Sequence, residues 1–272
     1  MQKKNQHNII ILVEAERLEN RIWERSSVWL ERMPVTHEVA SSSLVVPAII
    51  NKPAMRAFSI SECINFKEVF MVLENKLGLT NSADLAREEE RISKTKAVKM
   101  FETGFLNELE AGKFETLSKI HKYLFEDIYP FAGEIRSENT AKGNFRFAPV
   151  MYLKTSLEHI DSMPQSNFDE IVEKYVEMNV AHPFREGNGR STRIWLNLIL
   201  KKEIGKVVDW NKVDKEDYLL AMERSPVKSV EIKELLRNAL TSDVSDREVY
   251  MKGIDASYHY EGYNIFKSEN LK

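Results

Sequence analysis

From residue 71 onward, apolar side chains recur at helical spacing. Phe114, Leu117, Ile120 and Leu124 form one stripe. Phe168, Ile171, Val172, Tyr175, Val176 and Val180 form a second, and Ile194, Trp195, Leu198 and Ile199 a third. Repeats at three and four residues place each set on one helix face. The run from Glu88 to Ala97 is highly charged and holds no helix breaker, which predicts a solvated helix. One stretch departs from this period. Between Gly143 and Tyr152, Phe145 and Phe147 alternate with polar neighbours behind a Gly-Asn pair, which predicts a small hairpin. The expectation is an all-α domain over residues 71–265 with one short β flap, followed by a tail over 266–272. Residues 1–70 read differently, with a helix over about 8–30 and an extended Ser/Val/Pro stretch from Ser41 to Ile50. They contain no chemistry motif and read as an extension without a fold of its own.

Composition narrows the class. The 272 residues are 43% apolar and 30% charged, an ordinary globular balance that allows one large domain or two small ones. With 10 Gly and 8 Pro, collagen-like and low-complexity readings fail. The 39 basic and 42 acidic residues give a net charge of −3, so no global basic field invites nucleic acid. The aliphatic run Ile9–Val13 covers five residues, whereas a membrane span needs about 20. It is also short for a signal-peptide core. The single cysteine, Cys63, excludes an internal disulfide and a multi-cysteine metal site. The expected setting is reducing and cytoplasmic, without a membrane partner.

The chemistry gathers in His182-Pro-Phe-Arg-Glu-Gly-Asn-Gly-Arg-Ser-Thr-Arg193, which separates the second and third stripes. Pro183 biases the residue before it out of the α region. Gly187 and Gly189 permit a tight turn with its N–H groups inward. The next helix then starts near Arg190, and a helix N-terminus behind such a turn binds phosphate. Arg190 and Arg193 lie three apart, so both can lean toward one anion. Glu186 can hold Mg²⁺, which takes one or two carboxylates plus substrate phosphates. His182 can accept a proton near neutral pH. The four-residue spacing of His182 and Glu186 is no zinc helix, because Pro183 and Gly187 break it and no second His follows. His121 reads as structural.

This loop resembles the signature of the Fic family, H-x-F-x-[D/E]-G-N-G-R-x-x-R, at every specified position. Tyr129-Pro-Phe-Ala-Gly-Glu-Ile-Arg136 looks like the family's turn before its flap, and Lys142-Gly-Asn-Phe-Arg-Phe147 like the flap itself. The resemblance covers about 71–265 and implies a Fic-type helical bundle that transfers AMP from ATP to a Tyr, Ser or Thr hydroxyl of a protein, releasing pyrophosphate. It assigns His182 as the base, Phe184 as a buried anchor and Glu186 as the Mg²⁺ ligand. Gly187, Asn188 and Gly189 become the anion hole, with Asn188 on the α-phosphate, Arg190 on the β-phosphate and Arg193 on the γ-phosphate. Lys142, Asn179, Val180, Ala181, Ser191 and Thr192 complete the implied nucleotide-binding set. The related Doc branch, which phosphorylates its target, lacks the second glycine of Gly-Asn-Gly. Gly189 is intact here.

Near the C-terminus, Ser257-Tyr-His-Tyr-Glu-Gly262 matches the family's inhibitory pattern [S/T]-x-x-x-E-[G/N], in a placement that resembles class III. The implied helix covers about 247–262. Ser257 and Glu261 share one face, and Glu261 paired with Arg193 would occupy the guanidinium that the γ-phosphate needs. Tyr258 and Tyr260, beside the motif, are candidate self-modification sites, and self-association is an expected mode of regulation. Competing readings are a same-fold transferase of UMP, phosphocholine or phosphate, removal of AMP from modified targets, and a non-catalytic nucleotide sensor. An intact His182 disfavours the last.

Overall fold

The computed structural model describes residues 72–142 and 145–271. The expectations for residues 1–70, and for the Gly143-Asn144 turn, lie outside the described residues. Eight α-helices and two short strand pairs make up the rest. Helix α1 (Ser82–Glu102) starts behind Asn81, whose side chain accepts from the Ala83 and Asp84 amides. After a 3-10 turn at Phe105–Glu108 comes α2 (Phe114–Phe125). Strands β1 (Ala141–Lys142) and β2 (Phe145–Arg146) pair antiparallel as a small flap. The flap is shorter than the sequence suggests. Pro149 fixes the backbone for a helix start, and α3 (Val150–Ser162) already contains Tyr152.

Helix α4 (Phe168–Ala181) leads into the glycine-rich loop, and α5 (Asn188–Ile204) leaves it. Strand β3 (Val207–Val208) pairs with β4 (Leu240–Thr241). Between them lie a 3-10 turn at Trp210–Lys212, α6 (Lys215–Arg224) and α7 (Val230–Asn238). Helix α8 (Arg247–Tyr260) closes the domain, capped by Asp246. Helix α5 is the axis. It packs on α4, α2 and α8, and Ile194, Trp195, Leu196, Leu198, Ile199 and Leu200 are all buried. A helix buried on nearly every side, as α5 is from Arg190 to Leu200, belongs in the middle of a domain. Among the described residues no helix is long and apolar enough to cross a membrane.

The charged run of α1 overturns the solvated-helix expectation. Glu89, Glu90, Ser93 and Lys94 are all buried. Glu90 accepts the backbone amides of Ile265 and Phe266 and pairs with Lys94, which also pairs with Asp255 of α8. Lys94 donates to the Phe266 carbonyl as well. Charged groups are buried only when paired, and beyond their mutual pair the partners of Glu90 and Lys94 come from segments more than 160 positions later. The start of the 266–272 tail is thereby fastened to α1, and Ser268 is bound to Asp255 and the Met251 carbonyl.

Candidate active site

Helix α4 ends on His182 in the left-handed conformation, at φ 47°. It is the only non-glycine residue with positive φ among those described, and such strain persists only where surroundings enforce it. Here Arg136 does so. Its Nε donates to the His182 carbonyl at 2.7 Å, its backbone N–H to the Pro183 carbonyl at 2.8 Å, and its remaining guanidinium nitrogens to the carbonyls of Glu138, Ala148 and Ala181. One side chain thus ties loop, flap and α4 together. The Ala148 amide donates to the Val180 carbonyl, so Val180 and Ala181 brace the flap through their backbones.

The loop is pinned from inside. Phe184 is fully buried and stacks on His121 at 3.9 Å. Asn188 clamps the same residue, accepting the Phe184 amide and donating to its carbonyl, both at 2.8 Å. Its side chain therefore shapes the loop. Gly187 has φ 76°, and a Cβ there would lie 2.4 Å from the Phe125 ring, so conformation and space both demand glycine. Ser191 and Thr192 are buried, with hydroxyls donating back to Gly187, Asn188 and Gly189 carbonyls. They bind the preceding turn of their own helix.

The His182 ring is partly buried and stacks on Phe147 of the flap at 3.6 Å. Burial, then Lys142 and Arg136, push it down to about 3, against weaker upward pulls from Glu261 and the Asn179 backbone. A neutral imidazole is the form that accepts a proton.

Arg190 and Arg193 do not lean toward one anion. Arg190 is buried. Its Nη2 pairs with Glu89 at 2.6 Å and with Glu186 at 3.0 Å. Its guanidinium lies over the rings of Phe125, Tyr258 and Tyr263, 4.7 to 5.4 Å from their centres. The counter-ion that draws it inward, Glu89, lies on the run expected to be solvated. Arg193 turns to α8 instead. Its Nε donates to Ser257 Oγ at 2.7 Å, and its Nη2 to the Ser257 carbonyl at 2.9 Å and to Glu261 Oε1 at 2.7 Å.

Glu261 reaches that position because of how α8 stops. Gly262 has φ 86°. The Tyr263 amide donates to the Tyr258 carbonyl and the Gly262 amide to the His259 carbonyl, a Schellman end that needs a left-handed residue just past the cap. The carboxylate then rests against Gly189, where a Cβ would lie 2.2 Å from Oε1. The second glycine of Gly-Asn-Gly is thus the seat of Glu261. Lys142 of the flap stands 3.7 Å from Oε2. Burial raises the Glu261 carboxyl, but Lys142 and Arg193 together hold it well below the usual carboxylate range.

Tyr258 and Tyr260, the candidate self-modification sites, are both buried while α8 is docked. The Tyr258 hydroxyl donates to Ser93 Oγ at 2.8 Å, and burial pushes the phenol up to about 12. Tyr260 lies against the Trp210 and Val213 carbonyls and stacks on Tyr218. Both pack α8 onto the core. Two residues of the site escaped the sequence reading, Glu89 and Arg136, while His121, read as structural, is buried beneath the loop. Arg136 lies within the recognised Tyr129–Arg136 turn, but nothing local marks its role. His121 stands on a plain helical stripe.

Residues 112–200 match the Fic/DOC family. That stretch takes in the whole loop from His182 to Arg193. It is 28% identical to protein adenylyltransferase VbhT of Bartonella schoenbuchensis over 71% of this chain, which spans 45% of that protein's length. It is 27% identical to the probable protein adenylyltransferase y4lH of Sinorhizobium fredii, over 57% of this chain and 83% of that protein. In fold it resembles the BepC protein of Bartonella tribocorum with bound AMPPNP, at 19% identity and a TM-score of 0.51, covering 63% of this chain and 96% of that one. It also resembles an ADP-bound Fic domain of a VirB-translocated effector from Bartonella quintana, at 20% identity and a TM-score of 0.52, covering 62% and 91%. The helical bundle with a short flap is the Fic fold.

Proposed function

We propose that this protein is an autoinhibited protein adenylyltransferase, transferring AMP from ATP to a hydroxyl of a protein. The observation that carries the reading is His182, stacked on Phe147 of the flap at the head of the loop that opens α5, within a stretch matching the Fic/DOC family whose curated relatives are named protein adenylyltransferases. Structural relatives that hold AMPPNP and ADP support a nucleotide donor. The chemistry is a substitution at phosphorus. The target hydroxyl oxygen bonds to the α-phosphorus, its proton passes to His182, and pyrophosphate leaves with the electrons of the broken P–O bond. Backbone amides of Asn188 and Gly189 at the α5 N-terminus favour the phosphate charge, while the Gly187 amide is held by Glu186 Oε1. The residues present fit a divalent cation that arrives with the nucleotide. Glu186 offers a hard oxygen ligand, and no cluster of three or more His, Cys, Asp or Glu exists among the described residues to form an all-protein cage. Mg²⁺ held by Glu186 would neutralise phosphate charge.

In the resting protein Glu261 and Ser257 occupy Arg193, which supports autoinhibition through the guanidinium proposed for the γ-phosphate. The test is label transfer from α-labelled ATP by the Glu261→Gly protein, with and without His182→Ala. Removing a general base typically costs about 10² to 10⁴ in rate, and ATP binding should be nearly unchanged because the base touches the attacking hydroxyl. Undiminished transfer in a folded double variant refutes the base. Labelling from UTP in place of ATP would move the chain to another donor.

A further inference from the structure

The His121 imidazole lies under the loop, fully buried, and makes two hydrogen bonds. The Gly133 backbone N–H, which can only donate, meets Nδ1 at 2.8 Å. Nδ1 therefore presents its lone pair, and Nε2 carries the ring proton. Nε2–H then donates to the Glu186 carbonyl at 2.7 Å. The ring's pose is set by stacking on Phe184 at 3.9 Å and by Phe125 at 4.8 Å.

We propose that His121 is a positioning residue that fixes the Glu186–Gly187 peptide plane and, through it, the Glu186 carboxylate. This rests on the reading of Glu186 as the metal-facing carboxylate. In a trans peptide the carbonyl and the following N–H point in opposite directions. Holding the Glu186 carbonyl down onto His121 turns the Gly187 N–H away from it, and that N–H donates to Glu186 Oε1 at 3.0 Å. The same oxygen accepts from Arg190 at 3.0 Å. A flipped plane would place carbonyl oxygen against carboxylate oxygen and lose the amide donor. Glycine resists such a flip least, because Gly187 has no Cβ to anchor its backbone. The anchor must come from outside the loop, and His121 is the side chain that grips this carbonyl.

Two substitutions separate this role from packing. His121→Phe keeps the ring and its stacking but removes the donor. His121→Gln loses the ring but keeps an N–H near the Nε2 position. Two readouts apply. One is hydrogen exchange of the Gly187 amide by NMR in protein without nucleotide. The other is the Mg²⁺ concentration that half-saturates its effect on ATP binding, by calorimetry. His121→Phe should speed Gly187 exchange by about tenfold and raise the Mg²⁺ requirement by a similar factor, the scale of one hydrogen bond, while His121→Gln stays within about twofold of the parent. Unchanged Gly187 exchange in His121→Phe overturns the proposal. So does a larger loss in His121→Gln than in His121→Phe, which would show that the ring acts by stacking. If no Mg²⁺ effect on ATP binding exists in the parent, the metal role of Glu186 fails, and the amide readout still decides whether His121 fixes the peptide.

Discussion

Arg190 and Arg193 leave the same turn of α5 and enter opposite kinds of surroundings. Arg190 is held by groups built into the fold: Glu89 on α1, Glu186 in the loop, and three aromatic faces. Arg193 is held by the last turn of α8, through Ser257 and Glu261. The Glu89 carboxylate is buried, 4% exposed, while that of Glu261 is 22% exposed. The first arrangement resembles a structural ion pair, in which neither charge can depart without stranding the other. The second resembles an occupied binding site, in which one anion stands where another could. Sequence spacing alone makes the two arginines equivalent, and the difference comes from their counter-ions.

The largest effect should come from attacking the fixed pair. Glu89→Leu leaves Arg190 buried without its main counter-ion and strips the acceptor from the Tyr129 hydroxyl, bound at 2.6 Å. Removing one partner of a buried pair costs about 3–5 kcal/mol. Thermal and urea unfolding should show a loss on that scale, whereas Glu89→Gln, which keeps the shape and an acceptor, should lose less. A Glu89→Leu protein as stable as the parent would make Arg190 as exchangeable as Arg193 and remove the contrast.

Next comes the exchangeable pair. Glu261→Gly should raise AMP transfer by about tenfold to a hundredfold, because a charge-assisted bond of roughly 1.5–3 kcal/mol no longer competes for Arg193. Stability should fall less than in Glu89→Leu, since Ser257 and Tyr218 still contact the guanidinium. Ser257→Ala removes a neutral acceptor and keeps the backbone carbonyl bond, so it should activate less. Label transfer at matched protein and Mg²⁺ concentrations ranks the three proteins. Equal or lower labelling in Glu261→Gly would mean that Glu261 supports the site.

The same contrast explains what could be read from the chain. The loop was legible because its requirements are local: Pro183 to stop a helix, Gly187 at positive φ, Phe184 to bury, His182 at the exit. Ser257, Glu261 and Gly262 were legible because i,i+4 spacing and a C-terminal glycine are also local. Glu89, Glu90 and Lys94 were not. On α1 they look like any solvated charge run, and only Arg190, Asp255 and the amides of Ile265 and Phe266 make their burial affordable. The burial of Tyr258 and Tyr260 was not legible for the same reason, because proximity to a motif says nothing about which face a helix buries. Arg136 and His121 act on backbone carbonyls, and a carbonyl has no signature in sequence.

The smallest expected effect is a pH response that should be absent. A group whose folded value lies below its unfolded one contributes stability that is complete above the unfolded value and is lost as pH falls through the folded one. Glu261 starts from 4.5 and is lowered by Lys142 and Arg193 against its burial, so its contact with Arg193 should be whole from pH 8 down to 5. His182 starts from 6.5 and is lowered to about 3, so it should remain neutral over the same range. An unshifted imidazole would pass its midpoint near pH 6.5 and be mostly protonated at pH 5.5. The measurement is an NMR titration of the His182 ring in nucleotide-free protein between pH 8 and 5, alongside label transfer by the wild type at both ends. A flat titration and equally low transfer at both ends are expected. A midpoint near 6.5 would show that Phe147 and the flap leave the ring open to water. A rise in wild-type transfer toward pH 5 would show that protons release Glu261, and that the exchangeable pair is held more loosely than its 2.7 Å contact implies.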